Sequence, residues 1–169
     1  MRNAPLLAAL LTLASLPATG AAAARDFRLE DFFAGKSIAV GRFQAINGVD
    51  RSFKVRLTGR WNGKILTLRE DFAYADGERD RKTWRFTKTA PGAYTGTRED
   101  VVGEAMVKID GNVARYSYLV DTDPSAKENI VRFHDTLRLM PDGTLLNTAW
   151  VSKFGFPVAK VRVDFTRQR

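Results

Sequence analysis

Residues 52–74 read SFKVRLTGRWNGKILTLREDFAY, and the parity of their apolar positions decides the fold. Phe53, Val55 and Leu57 are apolar at odd positions beside polar Lys54, Arg56 and Thr58. After Asn62-Gly63 the apolar set moves to the even positions Leu66, Leu68, Phe72 and Tyr74, beside Thr67, Arg69 and Asp71. A period of two is that of a strand with one dry and one wet face. Asn-Gly supplies the positive backbone angles of a tight turn, so the stretch predicts a β-hairpin.

The same signals recur outward in both directions. Turn pairs stand at Asn47-Gly48, Asp76-Gly77, Pro91-Gly92, Gly111-Asn112, Asp142-Gly143 and Phe154-Gly155. They bound strands expected at 37–46, 52–61, 65–74, 79–89, 93–99, 104–110, 113–121, 130–140, 145–154 and 157–167. Only Leu29 to Phe33 reads as a helix, and Asp123 to Asn129 is the one longer polar connection, suited to a lid over a barrel mouth. Sequential strands with a single apolar face leave long edges unless the sheet closes. The expected fold is therefore all-β: an antiparallel up-and-down, lipocalin-like barrel of about 8–10 strands with a short N-terminal helix. A two-sheet sandwich is the alternative.

Residues 1–24 read differently. Arg2 precedes an apolar run from Ala4 to Ala18, and Ala22-Ala23-Ala24 offers an A-x-A site before Arg25. The run is too short to span a bilayer, so a cleaved signal peptide is expected over 1–24, with a single domain over 25–169 exported to a periplasm. No later segment is apolar enough to be a transmembrane helix. The 169-residue chain has no Cys, one His, and 27 Lys plus Arg against 19 Asp plus Glu, a net charge of +8. Without Cys, thiolate metal sites, cysteine nucleophiles and disulfides are excluded. The basic surplus is spread over nearly every strand, which with export argues against nucleic acid and for an anionic envelope lipid surface.

Four ordered motifs carry a family resemblance: Phe27 to Lys36 (FRLEDFFAGK), Leu68 to Glu78 (LREDFAYADGE), Gly96 to Ala105 (GTREDVVGEA) and Val151 to Gly155 (VSKFG). They resemble the bacterial domain of unknown function 3833 family. That resemblance implies a small exported protein, often lipid-anchored, with a lipocalin-like barrel and no established activity. With no Cys after its apolar run, this chain departs from the lipid-anchored form.

Polar residues that break an apolar face are the functional candidates. Glu70 falls between Leu68 and Phe72, and Asp135 between Phe133 and Leu137, both on the interior side. A buried carboxylate requires a partner, and Arg98, Lys153, Arg115 and Arg138 are candidates. Tyr74, Trp84, Tyr94, Tyr116, Tyr118 and Trp150 combine ring area with a polar handle. The candidate ligand-binding set is Glu70, Trp84, Arg98, Tyr116, Tyr118, Asp135, Trp150 and Lys153, for a small apolar or amphipathic molecule such as a fatty acid or envelope lipid. Glu70 and Asp135 are also the candidate acid/base groups of an alternative barrel enzyme, an isomerase or hydrolase. A non-catalytic envelope interaction module is the third reading. His134 alternates with Arg132 and Thr136 on the wet face, a poor haem ligand, and Arg98 to Glu104 reads as a tight turn with a solvated acidic rim, not a calcium loop. No metal and no cofactor is expected.

Overall fold

The computed structural model describes residues 26–123, 125 and 129–168. The predicted leader lies outside the described residues, as does most of the Asp123 to Asn129 connection.

A short helix α1 (Leu29–Phe33) leads into β1 (Gly35–Ala45), β2 (Asp50–Trp61), β3 (Ile65–Tyr74), β4 (Arg79–Ala90), β5 (Ala93–Thr97), β6 (Val101–Val102), β7 (Ala105–Asp110), β8 (Val113–Asp121), β9 (Ile130–Leu139), β10 (Leu145–Lys153) and β11 (Phe156–Arg167). Each long strand pairs antiparallel with its sequence neighbours, and β1 pairs with β11 from Ser37↔Arg167 to Ala45↔Ala159. Pairing of β8 with β9 completes the ring, so a closed ten-strand up-and-down barrel results, with β6 as an added splice. Among the described residues no helix is long and apolar enough to cross a membrane.

Ten predicted strands match observed ones to within two residues at nearly every end. The exception is the segment after β5. Val101 and Val102 form β6, pairing with Val120 and Leu119 of β8 where β7 has turned away, and Asp121 N–H donates to the Asp100 carbonyl. The segment is therefore part of the wall and not a solvated turn. Its carboxylates diverge: Glu104 is exposed, Glu99 accepts from the Thr83 N–H, and Asp100 turns inward.

One end of the barrel is plugged. Phe27, Leu29, Phe32 and Phe33 are buried in it, with the Phe33 ring edge-on to Phe165 at 5.7 Å. Five residues are too few to be helical on their own propensity, so burial of these side chains holds the helix, each contributing about 1.5–3 kcal/mol. Glu30, also buried, accepts from Lys88 Nζ at 2.6 Å and from the Tyr94 hydroxyl at 2.5 Å, tying the helix to β4 and β5. Burial opposes the Glu30 charge, but these hydrogen bonds outweigh it and hold the carboxyl below its ordinary range. Gly59 of β2 lies directly under the Phe33 carbonyl, where any Cβ would overlap backbone oxygen. The opposite end, carrying the connections after β1, β3, β5, β8 and β10, shows no such helix among the described residues. There inward-facing Phe43, Phe72, Tyr74, Phe133 and Val161 are only half-buried.

Gly59→Ala is expected to lower unfolding free energy by about 3 kcal/mol, because the clash is with backbone and cannot be relieved by a rotamer. Gly63→Ala, in the open β2–β3 turn at φ +92°, is expected to lose about 1 kcal/mol through backbone strain alone. Urea unfolding of both variants checks the contrast; equal losses would show that the plug does not rest on Gly59.

Candidate functional site

The parity of β3, β4, β8 and β9 turns a wall of aromatic and polar side chains inward. Trp84 and Phe86 stack at 4.9 Å, Tyr118 meets Trp84 edge-on at 5.1 Å, and Tyr116, Tyr118 and Phe133 form a stacked ladder at 5.6 and 5.5 Å. Small inward residues of β1 and β10, including Ala39, Gly41 and Ala149, make up another part of the interior surface.

Arg98, immediately after β5, enters this wall. Its guanidinium lies 4.8 Å over the Trp84 ring and 5.8 Å over Tyr118, and it donates to both Asp100 oxygens at 2.6 and 3.2 Å. Glu70 Oε2 is farther from it, at 3.9 Å. Asp100 is thus the principal partner and Glu70 a secondary one. Lys82 reaches Asp100 at 3.4 Å from the mouth side and Asp80 at 3.3 Å, so the ion pairs form a chain. Burial works against the Arg98 cation, but Tyr118, Glu70 and Asp100 outweigh it and raise its pKa above the usual value.

Glu70 gains too little from Arg98 to offset its surroundings. Burial pushes its carboxyl up to about 7, against the Arg98 attraction, with Asp100 and Asp135 adding repulsion. Asp135, buried on β9, is pushed up to about 6 by burial, although the Asn147 amide and the nearby Tyr118 hydroxyl favour its ionised form. Asn147 Nδ2 donates to Asp135 Oδ1 at 2.6 Å. Asp135 Oδ2 and Asn147 Oδ1 are buried and accept no hydrogen bond. Unpaired buried acceptors of this kind are costly, and the Tyr118 hydroxyl is the group placed to relieve Asp135.

Of the candidate residues named from sequence, Glu70, Trp84, Arg98, Tyr116, Tyr118 and Asp135 come together inside the barrel. Trp150 does not. Its neighbours Ala149 and Val151 point inward, so Trp150 is 45% exposed on the outer wall, stacked on His134 at 3.7 Å. Lys153 also stands apart: it follows a bulge at Val151/Ser152, with its ammonium 5.7 Å over the Phe154 ring, and forms no ion pair with Glu70 or Asp135. Arg115 and Arg138 are exposed and cannot partner the buried carboxylates. His134 faces outward as its parity requires, with Nε2 3.3 Å from Ser152 Oγ. Asn147 is not among the sequence candidates, and Asp100 enters there only as part of a solvated acidic rim, where the structure instead turns it onto Arg98. Parity places Asn147 with Leu145 and Ala149, which was a usable signal; Asp100 carried none, because β6 is too short to show alternation.

Two surface hollows, of about 660 Å³ beside Asp26, Lys88 and Ile109 and about 300 Å³ beside His134, Trp150 and Phe154, both lie outside the barrel. The interior cluster of rings and carboxyls lies behind the half-buried rings of the end opposite the helix. Comparison with known proteins agrees with this architecture. The profile of a family described as Protein of unknown function (DUF3833) matches residues 9–167. An S-type phycobiliprotein lyase, CPES, from Guillardia theta superposes with TM-score 0.62 at 7% identity, covering 85% of this chain and 94% of that one. Rv2717c from M. tuberculosis superposes with TM-score 0.61 at 18% identity, covering 81% and 93%. These likenesses are of fold. No curated protein sequence matches.

Both raised carboxyls hold their protons more tightly in the folded than in the unfolded chain. Between about pH 4.5 and 7 the folded state therefore binds more protons, and stability falls as pH rises through that window, then levels. Glu70→Gln is expected to make that fall shallower, most clearly between pH 5 and 7. Thermal unfolding across the range measures it; an unchanged slope would mean that Glu70 is not held protonated near neutrality.

Proposed function

The chain belongs to the DUF3833 family, and for this member we propose a non-enzymatic binding protein that holds a small amphipathic molecule in the unplugged half of the barrel. The apolar body packs against Phe72, Phe133 and Tyr118, and the polar end donates hydrogen bonds to Asp135 Oδ2 and Asn147 Oδ1. The observation that carries this reading is that pair of buried, unpartnered acceptors behind half-buried rings. It selects among amphiphiles. A hydroxyl or amine matches the acceptors, whereas a fatty-acid carboxylate meets ionised Asp135, and above about pH 7 Glu70 as well, as like charges. The reading takes 1–24 as a cleaved leader and the periplasm, bounded by anionic lipid surfaces, as the working compartment.

A second reading, a barrel isomerase or hydrolase, draws on Glu70 and Asp135 having carboxyls near neutrality inside an aromatic site. It requires turnover that Glu70→Gln or Asp135→Asn abolishes while ligand binding survives.

The binding reading is tested by titrating long-chain alcohols, amines and fatty acids at pH 8, following tryptophan fluorescence. Alcohol or amine is expected to bind at least tenfold more tightly than the acid, and Asp135→Ala to remove about 1.5–3 kcal/mol of that affinity. Failure of every amphiphile to bind, with a ligand-free mass for protein recovered from its producing cells, would overturn it. For the leader, the amino terminus of exported protein is expected to be Arg25; a chain still beginning at Met1 would refute cleavage.

A further inference from the structure

The unplugged rim carries apolar side chains where a soluble barrel would carry polar ones. Among the described residues, Ile46 is 80% exposed, Phe154 78% and Phe156 73%, and Ile130 and Val49 are also exposed. Adjacent turns bring them together: Ile46 N–H donates to Val158 O at 2.9 Å, beside the β10–β11 hairpin that carries both Phe residues, and Ile130 shares a hollow with Phe154. None of the large exposed apolar residues stands in the turns of the plugged end, 62–64, 91–92, 111–112 or 140–144. Val40 and Met106 are exposed on the outer wall, and scattered exposed apolar residues of that kind need no explanation, but a contiguous group with the three most exposed members at one end does.

Phe154 sharpens the point. It sits at φ +51° before Gly155 at φ +85°, a turn whose first position favours Asn and strains a bulky side chain. The chain accepts both strain and ring exposure there, a combination characteristic of functional positions. Beside Phe154, Phe156 and Ile46 the flanking charge is positive, with Asp121 and Asp123 on the Ile130 side of the same rim. Among the described residues Arg132, Lys153 and Lys160 form no ion pair, whereas nearby Arg42, Arg51 and Arg162 are engaged by Asp50, by Asp76 and Glu78, and by Asp164.

We propose that this rim is a membrane-docking surface: Phe154, Phe156 and Ile46 enter the interfacial layer of an anionic bilayer while Lys153, Arg132 and Lys160 meet lipid headgroups. Aromatic and aliphatic side chains backed by cations are the chemistry of interfacial binding, where apolar burial and attraction to anionic lipid add together. A protein partner would leave the unpaired cations without a general counterpart, and an anionic lipid surface supplies one at every approach. Docked this way, the barrel mouth faces the lipid and the plugged end faces water. The surface extends the carrier reading but can stand or fall apart from it.

The test is co-sedimentation of the chain from Arg25 onward with vesicles of phosphatidylglycerol and phosphatidylethanolamine, against vesicles of phosphatidylcholine alone. Preferential binding to the anionic vesicles is expected, weakened severalfold by 0.5 M salt. Phe154→Asn with Phe156→Thr is expected to weaken it at least tenfold while thermal stability holds or rises, because Asn suits the left-handed turn. No binding to anionic vesicles would overturn the proposal, as would binding that the double variant leaves unchanged. A concentration-dependent dimer that the double variant abolishes, with no vesicle binding, would instead assign the rim to a second copy of the chain. Vesicle binding by a protein that takes up no amphiphile would sink the carrier reading alone.

Discussion

The seat of α1 on β2 gives this barrel an inside. A ring of strands open at both ends would let water through and leave its inward side chains half-solvated. Here Gly59 admits the Phe33 carbonyl against the wall, and Phe32 and Phe33 fill the end. The helix is too short to stand alone, so its position is fixed from outside itself: Glu30 is held by Lys88 and Tyr94 while the rings are buried. One buried carboxylate, fully partnered, thus closes one end, and the chemistry of the barrel is left to the other.

That closure makes the interior dry enough for burial to govern its charges. Arg98 could have neutralised Glu70, but the guanidinium fork is engaged by Asp100, which β6 delivers from the neighbouring stretch of wall. Glu70 and Asp135 consequently lose more from desolvation than they recover, in contrast to Glu30 and Asp100, whose close donors keep them ionised. The same physical terms act on all four carboxyls. The charge of the donor decides: Lys88 and Arg98 bring cations within 2.6 Å of Glu30 and Asp100, whereas Asp135 has only the neutral Asn147 amide equally close and Glu70 has Arg98 no nearer than 3.9 Å.

Parity made most of this legible in advance. It placed Glu70 and Asp135 inside, His134 outside and the strand ends within two residues, because a one-residue slip reverses every face. It failed where another signal was allowed to override it. Trp150 was grouped with the interior aromatics by residue type although its position between Ala149 and Val151 sends it outward. Asn147, by the same parity, belonged inside. Glu30 and Asp100 were illegible for a different reason: a five-residue helix and a two-residue strand are too short for any period, and their orientation comes from tertiary contacts that sequence spacing does not encode.

The open end then sets the character of the rim. A mouth that admits an amphiphile exposes it to the problem of transit, since such a molecule is poorly soluble in the water between a bilayer and a pocket. A polar rim would add a solvated barrier to that step. In the carrier proposed above, apolar side chains at Ile46, Phe154 and Phe156, at the same end as the half-buried Phe43, Phe72 and Phe133, would remove much of it. The left-handed Phe154 shows the order of constraints, because an Asn-Gly turn would have satisfied the hairpin more easily and left the rim polar. Local backbone preference and exposed apolar area are both set aside at one residue, which is what the docking proposal accounts for.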